Sequence, residues 1–117
     1  MFSFGNHIRE LREKRRKADR AFSLRQVAGR VGIEPTYLSK IERGELAPPS
    51  EATTRRLAVE LGDDPDVLLA MAGKVSSELL DIIRKRPQMF SELIRQLKDA
   101  PDHAILRIVR EVRDGDW

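Results

Sequence analysis

The stretch SLRQVAGRVGIEPTYLSKIERG, residues 23–44, predicts two short helices that are joined by a single glycine. Ser23 and Gln26 have the spacing of a capping box, so a helix is expected to begin there and to end at Gly32. Pro35 favours the start of the next helix, because the missing N–H of proline would have no partner in a first turn. The glycine that closes the stretch then ends this second helix.

The residues between these boundaries support a packed pair of helices. Two helices that cross at about 90 to 120 degrees need a small residue where they touch, and Ala28 stands at that position. Apolar residues that would lock the pair together and tie it to its neighbours are Val27, Val31, Ile33, Leu38 and Ile41. Because several requirements are met at fixed spacing, an ordinary helical hairpin inside a core is a poorer explanation.

Helical spacing of apolar residues continues on both sides of this pair. A helix is expected before it at about residues 5–17, followed by a loop at residues 18–22. After it, Ser50 is the expected N-cap of a fourth helix, and Asp64-Pro65-Asp66 opens a fifth that ends at Gly73. The composition, with 35% charged and 5% aromatic residues, also favours an all-α protein.

Three more amphipathic helices are expected after Gly73. Pro87 and Pro101 stand at or near the first turns of the second and third of them. Three apolar stripes in about forty residues are more than this segment can bury by itself. They must pack on the first domain or on a second copy of the chain. The residues expected to line a dimer interface are Leu79, Ile83, Phe90, Leu93, Ile94, Ile105, Ile108 and Val109.

Length and composition fit a small protein with its own core. The chain has 117 residues, of which 40% are hydrophobic, which suffices for one compact domain or a small domain with an extension. It contains no cysteine, which excludes a disulfide framework and fits a reducing compartment. No apolar run reaches the roughly 18 residues of a membrane span, and the N-terminus lacks a signal-peptide core. A cytoplasmic protein is therefore expected, without membrane contact.

Positive charge is concentrated in the first third of the chain. Residues 9–30 carry nine Lys and Arg against three carboxylates, a net charge of +6. Residues 34–66 carry four against eight, a net charge of −4, and the whole chain has a formal net charge of +3. A basic stretch beside a helix pair is typical of a protein that binds nucleic acid, although a solvated helix face would show the same charges.

Residues 5–72 resemble the XRE family of helix-turn-helix regulators, of the Cro and phage-repressor type. The resemblance lies in the run from IRELREKRR through SLRQVAGRVGIEPTYLSKIERGELAPPS. The string YLSKIERG is its most specific part, since members commonly close the recognition helix with a similar Ile-Glu-Arg/Asn-Gly string. The resemblance covers about 60% of the chain. One departure is the segment between Arg15 and Ser23, which is longer and more basic than the usual short Gly-Leu link.

The resemblance implies a five-helix bundle, in agreement with the helices expected above. The predicted fold is therefore all-α, with a five-helix Cro/repressor-like helix-turn-helix domain at residues 1–73. About three short helices follow at residues 74–117, as a dimerisation or partner-binding segment.

By the same resemblance, the helix that begins at Pro35 would enter the major groove of DNA. Thr36, Ser39 and Lys40 are then the candidate base-reading residues, together with Pro35. Lys40 can donate to guanine, Thr36 can offer its hydroxyl or its methyl group, and Ser39 can donate or accept. Pro35 can supply only apolar contact, so its readout is expected to be weak or through a thymine methyl group.

Other residues are candidates for binding the DNA backbone. The first turn of the helix after Ser23 would present the N–H groups of Leu24 and Arg25 to a phosphate, and the Arg25 side chain adds charge. Tyr37 and Arg43 are expected to contact phosphate or sugar on either side of the recognition helix.

The family pattern also pairs Arg12 with Glu42. The resemblance implies a structural ion pair that fixes the first helix against the third. A direct contact with DNA is the alternative role for these residues.

No constellation of residues indicates catalysis. His7 and His103 are far apart and lack a Cys partner, so no metal site is expected. The sequence has no Gly-rich phosphate loop, nucleophile elbow or acid-base pair. The acidic run from Asp63 to Asp66 is explained by helix capping. The chain is therefore expected not to be an enzyme and to need no cofactor.

Two classes of function remain open. The first is a sequence-specific regulator of transcription that binds double-stranded DNA, a repressor acting as a homodimer on a two-fold operator. The second is an antitoxin or a peptidase-controlled regulator, in which residues 74–117 bind a toxin or a peptidase. The operator, the regulated genes and any effector are not indicated by the sequence.

Overall fold

The structure, a computed structural model that describes residues 3–115, is all-α. Within these residues it has eight α-helices, one 3-10 turn and no strand, so the all-α prediction is confirmed. In chain order the helices are α1 (Phe4–Arg16), α2 (Leu24–Val31), α3 (Pro35–Glu42), α4 (Glu51–Leu61), α5 (Pro65–Met71), α6 (Ser77–Lys85), α7 (Pro87–Leu97) and α8 (Asp102–Asp114). The 3-10 turn, Arg20–Phe22, lies between α1 and α2.

The chain divides into two compact units. The first unit ends at Ser77 and contains α1 to α5, while the second begins at Glu78 and contains α7, α8 and nearly all of α6. The first unit therefore reaches past Gly73, where the first domain was expected to end.

Local signals place the helix starts in the first unit. Ser23 Oγ accepts a hydrogen bond from the Gln26 N–H at 3.3 Å, and Ser50 Oγ accepts one from the Thr53 N–H at 3.3 Å. The prediction that both serines are N-caps is confirmed. A capping box also predicts that the Gln26 side chain accepts a hydrogen bond from the Ser23 N–H. This prediction is wrong, because the Ser23 N–H donates to the carbonyl of Arg20 at 3.1 Å.

Gly32 makes the turn between α2 and α3, as predicted. Its φ of 86° is left-handed, a conformation that residues with a Cβ rarely adopt. The N–H groups of Gly32 and Ile33 both donate to the Ala28 carbonyl, at 2.9 and 3.0 Å, and close the end of α2. Ala28 itself is fully buried. After the turn at Gly32, α3 begins with Pro35 in its first turn.

The core of the first unit joins all five of its helices. Its buried apolar residues are Phe4, Ile8, Val27, Ala28, Val31, Leu38, Ile41, Leu57, Ala58, Leu61 and Leu68. Four of the five residues predicted to lock α2 and α3 in place are in this set, and Ile33 packs against it half-buried. Because each large side chain of this kind stabilises the fold by about 1.5 to 3 kcal/mol, the helix pair is held firmly by its neighbours.

The connection between α1 and α2 is more regular than the loop expected from the sequence. Residues 20–22 form a 3-10 turn after Asp19, whose carboxylate accepts a backbone N–H at 2.9 Å. The guanidinium carbons of Arg15 and Arg30 each lie 5.3 Å from the centroid of the Phe22 ring. This is a cation–π distance, so two cations hold the aromatic ring in place. Within the loop predicted at residues 18–22, residues 20–22 thus have regular structure.

The segment that follows α5 is anchored on the start of α4. Lys74 Nζ donates to the Pro49 carbonyl at 3.0 Å. Ser77 donates through its hydroxyl and its N–H to the two carboxylate oxygens of Glu51, both at 2.7 Å. These two hydrogen bonds lower the pKa of Glu51 from its ordinary value. Ser76 is fully buried, so this segment belongs to the packed part of the first unit.

The second unit has amphipathic helices but no fully covered core. Among its described residues none is buried, and Ile83, Phe90 and Ile105 are only half-buried. Its exposed large apolar residues are Leu79, Ile82, Met89, Leu93, Ile94, Leu106, Ile108, Val109 and Val112. This unit therefore presents an extensive apolar surface.

Candidate nucleic-acid interface

The outward face of α3 carries the residues expected to read bases. Leu38 points into the core with 1% of its surface exposed, so the opposite side of this short helix faces solvent. Thr36 and Lys40 are exposed, and Pro35 and Ser39 are half-buried. Because residues four apart lie one above the other on a helix, Thr36 and Lys40 form a short polar row. The structure thus brings the four candidates together on two turns of α3.

A buried ion pair joins α1 to α3 beside this face. Arg12 Nε donates to Glu42 Oε2 at 2.8 Å, and Arg12 Nη2 donates to Glu42 Oε1 at 2.9 Å. Each residue is 4% exposed. Two parallel bonds between a guanidinium and a carboxylate fix both side chains in orientation as well as in distance. The hydrogen bond to Glu42 also raises the pKa of Arg12, which keeps the guanidinium charged despite its burial.

The remaining donors of Arg12 reach two further partners. Its Nη1 lies 3.3 Å from the Phe22 carbonyl, and its Nη2 lies 3.1 Å from Glu13 Oε1. Arg12 therefore ties α1 to α3 and to the connection that precedes α2. A buried charge with this number of partners avoids the desolvation penalty of an unpaired one.

A polar cavity of about 190 Å³ opens next to the ion pair. Its lining residues are Arg9, Arg12, Glu13, Leu24, Ser39, Glu42 and Arg43. Three guanidinium groups outnumber two carboxylates in this lining, so the cavity has a positive balance of charge. Guanidinium groups and hydroxyl donors are the groups that bind phosphate oxygens in proteins. The cavity, between α1, the start of α2 and α3, is therefore suited to an anion.

The start of α2 presents backbone donors at the same place. Ser23 caps the helix through the Gln26 N–H, whereas the N–H groups of Leu24 and Arg25 have no hydrogen-bond acceptor in the described part of the chain. The helix dipole adds a partial positive charge at this end. The Arg25 side chain is exposed and forms no ion pair with any residue from 3 to 115. This arrangement can accept a phosphate group.

Two other phosphate candidates are already engaged within the protein. Tyr37 is half-buried and packs against the core, which leaves part of its ring at the surface. Arg43 binds Glu45, with its Nε at 2.9 Å and its Nη2 at 2.7 Å from the same carboxylate oxygen. Both partners are half exposed, at 51% and 55%, so this ion pair is weak and can exchange for a phosphate. Their DNA contacts stay predictions.

Two residues that shape this region were not assigned from the sequence. A Cβ added to Gly5 would overlap the Ile41 carbonyl oxygen and lie 2.9 Å from that of Glu42, so only glycine lets α1 approach the end of α3. No sequence signal marks this contact, because its partner is more than thirty residues away. Arg9 lines the cavity, and its position three residues before Arg12 on one helix face was an available signal.

His7 ties α1 to the end of α4. Its Nε2 lies 3.0 Å from Asp63 Oδ2, and both side chains are about one-fifth exposed, at 20% and 22%. Among residues 3–115, no group of three His, Cys, Asp or Glu side chains is arranged to hold a metal ion. In the same range, every helix is too short or too polar to cross a lipid bilayer.

Comparison with known proteins identifies the part of the chain that holds this site. A family model described as a helix-turn-helix domain matches residues 3–71. The matched range runs from the residue before α1 to the last residue of α5, and it includes α2, α3 and every residue that lines the polar cavity. No curated protein and no solved structure gives a significant match.

Proposed function

The chain belongs to this helix-turn-helix family, and from that membership we propose that it regulates transcription by binding double-stranded DNA at specific sequences. The family match at residues 3–71 confirms the helix-turn-helix identification made from the resemblance of residues 5–72. The observation that carries the proposal is the solvent-facing row on α3, which is held in position by the core and by the Arg12–Glu42 pair.

In the proposed complex, α3 lies in the major groove and its outward residues contact base edges. Lys40 donates to guanine O6 or N7, and Thr36 contacts a base through its hydroxyl or its methyl group. Ser39 is half-buried at the edge of the polar cavity, so it serves a base near the DNA backbone. Pro35 makes apolar contact only.

The proposed phosphate contacts surround the start of α2. A phosphate there would accept from the N–H groups of Leu24 and Arg25, with the guanidinium of Arg25 close by. Arg43 would exchange its exposed partner Glu45 for a phosphate, and Tyr37 would donate through its hydroxyl group. These contacts fix the position of α3 in the groove and carry no sequence information.

The second unit supports a homodimer. Five of its predicted interface residues are exposed, namely Leu79, Leu93, Ile94, Ile108 and Val109, and the other three, Ile83, Phe90 and Ile105, are half-buried. Residues 78–117 carry eight Lys and Arg and eight Asp and Glu, so two copies would not repel each other. The proposed division keeps a five-helix DNA-binding domain, expected at residues 1–73, and a dimerisation segment, expected at residues 74–117, and these features support it for residues 78–117.

Dimerisation would place two copies of α3 on one operator. Half-sites one helical turn apart, about 34 to 36 Å, would then be related by a two-fold axis, as the protein is. Occupation of such a site blocks other proteins from the same groove, which makes repression the proposed outcome. A toxin or peptidase that covers the apolar surface of the second unit is the competing proposal, and a monomeric full-length protein would favour it.

A binding-site selection from random duplex DNA tests the proposed function. The wild-type protein is expected to enrich a sequence with two inverted half-sites. A matched variant with Thr36→Ala and Lys40→Ala keeps the core and the phosphate contacts, so it is expected to bind duplexes without enriching that sequence. Equal enrichment by both proteins would contradict the assignment of α3, and no binding of any duplex by the wild type would contradict the proposed function.

A further inference from the structure

The last turn of α1 and the connection after it form a strongly basic stretch. We call residues 14–22 the basic connector. Its cations are Lys14, Arg15, Arg16, Lys17 and Arg20, and all five are exposed. The one carboxylate in this stretch, that of Asp19, accepts the Ala21 N–H as a cap. Like charges at this density repel one another unless they are neutralised.

The protein itself neutralises only part of this charge. The C-terminal end of an α-helix carries about half a negative charge, which is too little for the four consecutive cations from Lys14 to Lys17. Arg20 gains nothing from that effect, since it begins the 3-10 turn. Arg16 has a distant ion pair with Glu13 at 3.8 Å, while the side chains of Lys17 and Arg20 have no ion-pair or hydrogen-bond partner within residues 3–115.

The basic connector is nevertheless held in a defined position. The Phe22 ring makes cation–π contacts with Arg15 and Arg30, and the Phe22 carbonyl accepts a hydrogen bond from Arg12 at 3.3 Å. Phe22 directly precedes Ser23, the N-cap of α2. Three residues of chain span at most about 11 Å, so Arg20 is close to the proposed phosphate site at the start of α2.

We propose that Lys17 and Arg20 bind the phosphate backbone of duplex DNA beside the phosphate at the start of α2, and so extend the contact surface beyond the helix pair. This inference rests on the proposed function. Duplex DNA is the polyanion that fits, because it carries one negative charge per about 1.7 Å of its axis, so further phosphates lie within about 11 Å of the first. Such contacts add affinity without base preference.

The test compares the full-length wild-type protein with the double variant Lys17→Ala, Arg20→Ala on a duplex of random sequence over a series of salt concentrations. The slope of log K against log salt is negative, and each lost phosphate contact reduces its magnitude by about 0.9. The magnitude of the slope should therefore be smaller by about 1.8 per bound protomer in the variant. Its affinity at low salt should fall by about tenfold or more. Its thermal unfolding midpoint should not fall, because neither side chain has a partner within residues 3–115 and the loss of two neighbouring cations reduces their mutual repulsion.

A matched control removes one Lys and one Arg from the second unit, Lys85→Ala with Arg107→Ala, both exposed. It should keep the wild-type slope. Two results would overturn the inference: an unchanged slope in the connector variant while the wild type binds DNA with a steep salt dependence, or an equal loss in the control. Failure of the wild-type protein to bind any duplex is a separate result, which would remove the proposed function and this inference with it.

Discussion

Lys40 and Arg25 are both exposed cations of the helix pair, but their proposed partners differ. Lys40 is assigned a base edge, so Lys40→Ala should weaken binding to the selected operator by about 1 to 3 kcal/mol and relax selectivity at one base pair per half-site. Arg25 is assigned a phosphate, so Arg25→Ala should weaken binding to all duplexes alike. Dissociation constants for the operator and its single-base variants measure both effects. If Lys40→Ala weakened all duplexes alike and Arg25→Ala relaxed selectivity instead, α3 would dock differently from the proposal.

Two glycines of the first unit differ in what surrounds them. In Gly5→Ala the new Cβ meets backbone oxygens at the end of α3, which cannot move away without shifting a helix, so the free energy of unfolding should fall by about 1 to 3 kcal/mol. Gly29 is the matched control, since it is exposed in α2 and no atom beyond its chain neighbours and the nearby backbone of α2 lies within 4 Å of its added Cβ. Gly29→Ala should therefore raise the same free energy by about 0.5 to 1 kcal/mol. Urea unfolding measures the free energy of unfolding of both variants. Equal changes in the two variants would contradict the close contact of α1 with α3.

Among the elements, the contact between Glu51 at the start of α4 and Ser77 at the start of α6 should depend on pH. The two Ser77 hydrogen bonds lower the pKa of Glu51 below its ordinary value of 4.5. A lowered pKa in the folded chain means that the contact stabilises the fold above pH 4.5 and is lost as the pH falls through the folded pKa. In Ser77→Ala the pKa of Glu51 should rise toward 4.5, and stability should change less between neutral and acid pH.

An NMR titration of the Glu51 carboxyl group, together with urea unfolding at neutral and acid pH, measures this effect. Ser91→Ala is the control, because Ser91 is exposed on α7 and its side chain forms no hydrogen bond in the described residues. An unshifted Glu51 pKa in wild-type protein would contradict the contact.

Helix boundaries in the first unit were predictable because their signals are local. Ser23, Ser50 and Pro35 act within four residues of their own positions, and a left-handed glycine such as Gly32 acts at a single residue. The base-reading candidates follow from such boundaries, since the buried positions of α3 determine which of its residues face outward. The sequence pattern was therefore sufficient to propose most of the site.

Features that depend on distant parts of the chain were not predictable in this way. The close approach at Gly5 is to residues at the end of α3, and the anchor of Ser77 is on α4. The cation–π contacts of the Phe22 ring come from Arg15 in α1 and Arg30 in α2. Each of these contacts exists only once the helices have packed, so no local spacing encodes it.

In the whole molecule, charge and apolar surface are separated along the chain. The basic residues at 9–30 lie in the first unit, whereas residues 78–117 are neutral overall and expose large apolar side chains. A neutral apolar surface favours contact with protein, and a basic surface favours contact with a polyanion. The charge of the first unit therefore agrees with the DNA contact proposed above, and the apolar surface of the second unit agrees with the proposed dimer contact.

The boundary between the two units predicts where the chain can be shortened. All buried residues in the described range lie at or before Ser76, so a chain that ends at Ser77 should fold with its core intact. A chain that ends at Gly73 should also fold, but it should unfold at lower urea concentration, because it lacks the contacts of Lys74 with Pro49 and of Ser77 with Glu51. Urea unfolding of the two shortened proteins measures this difference.

The chain that ends at Ser77 also tests whether the second unit forms the dimer. Without residues 78–117 it should sediment as a monomer, while the full-length protein sediments as a dimer, because the exposed apolar surface of the second unit is gone. The two half-sites would then be bound independently, and affinity for the full operator should fall about a hundredfold or more through loss of effective concentration. Affinity for a single half-site should stay the same, since α3 and its supports are unchanged. A shortened protein that still dimerises and binds the operator tightly would move the dimer contact to the first unit.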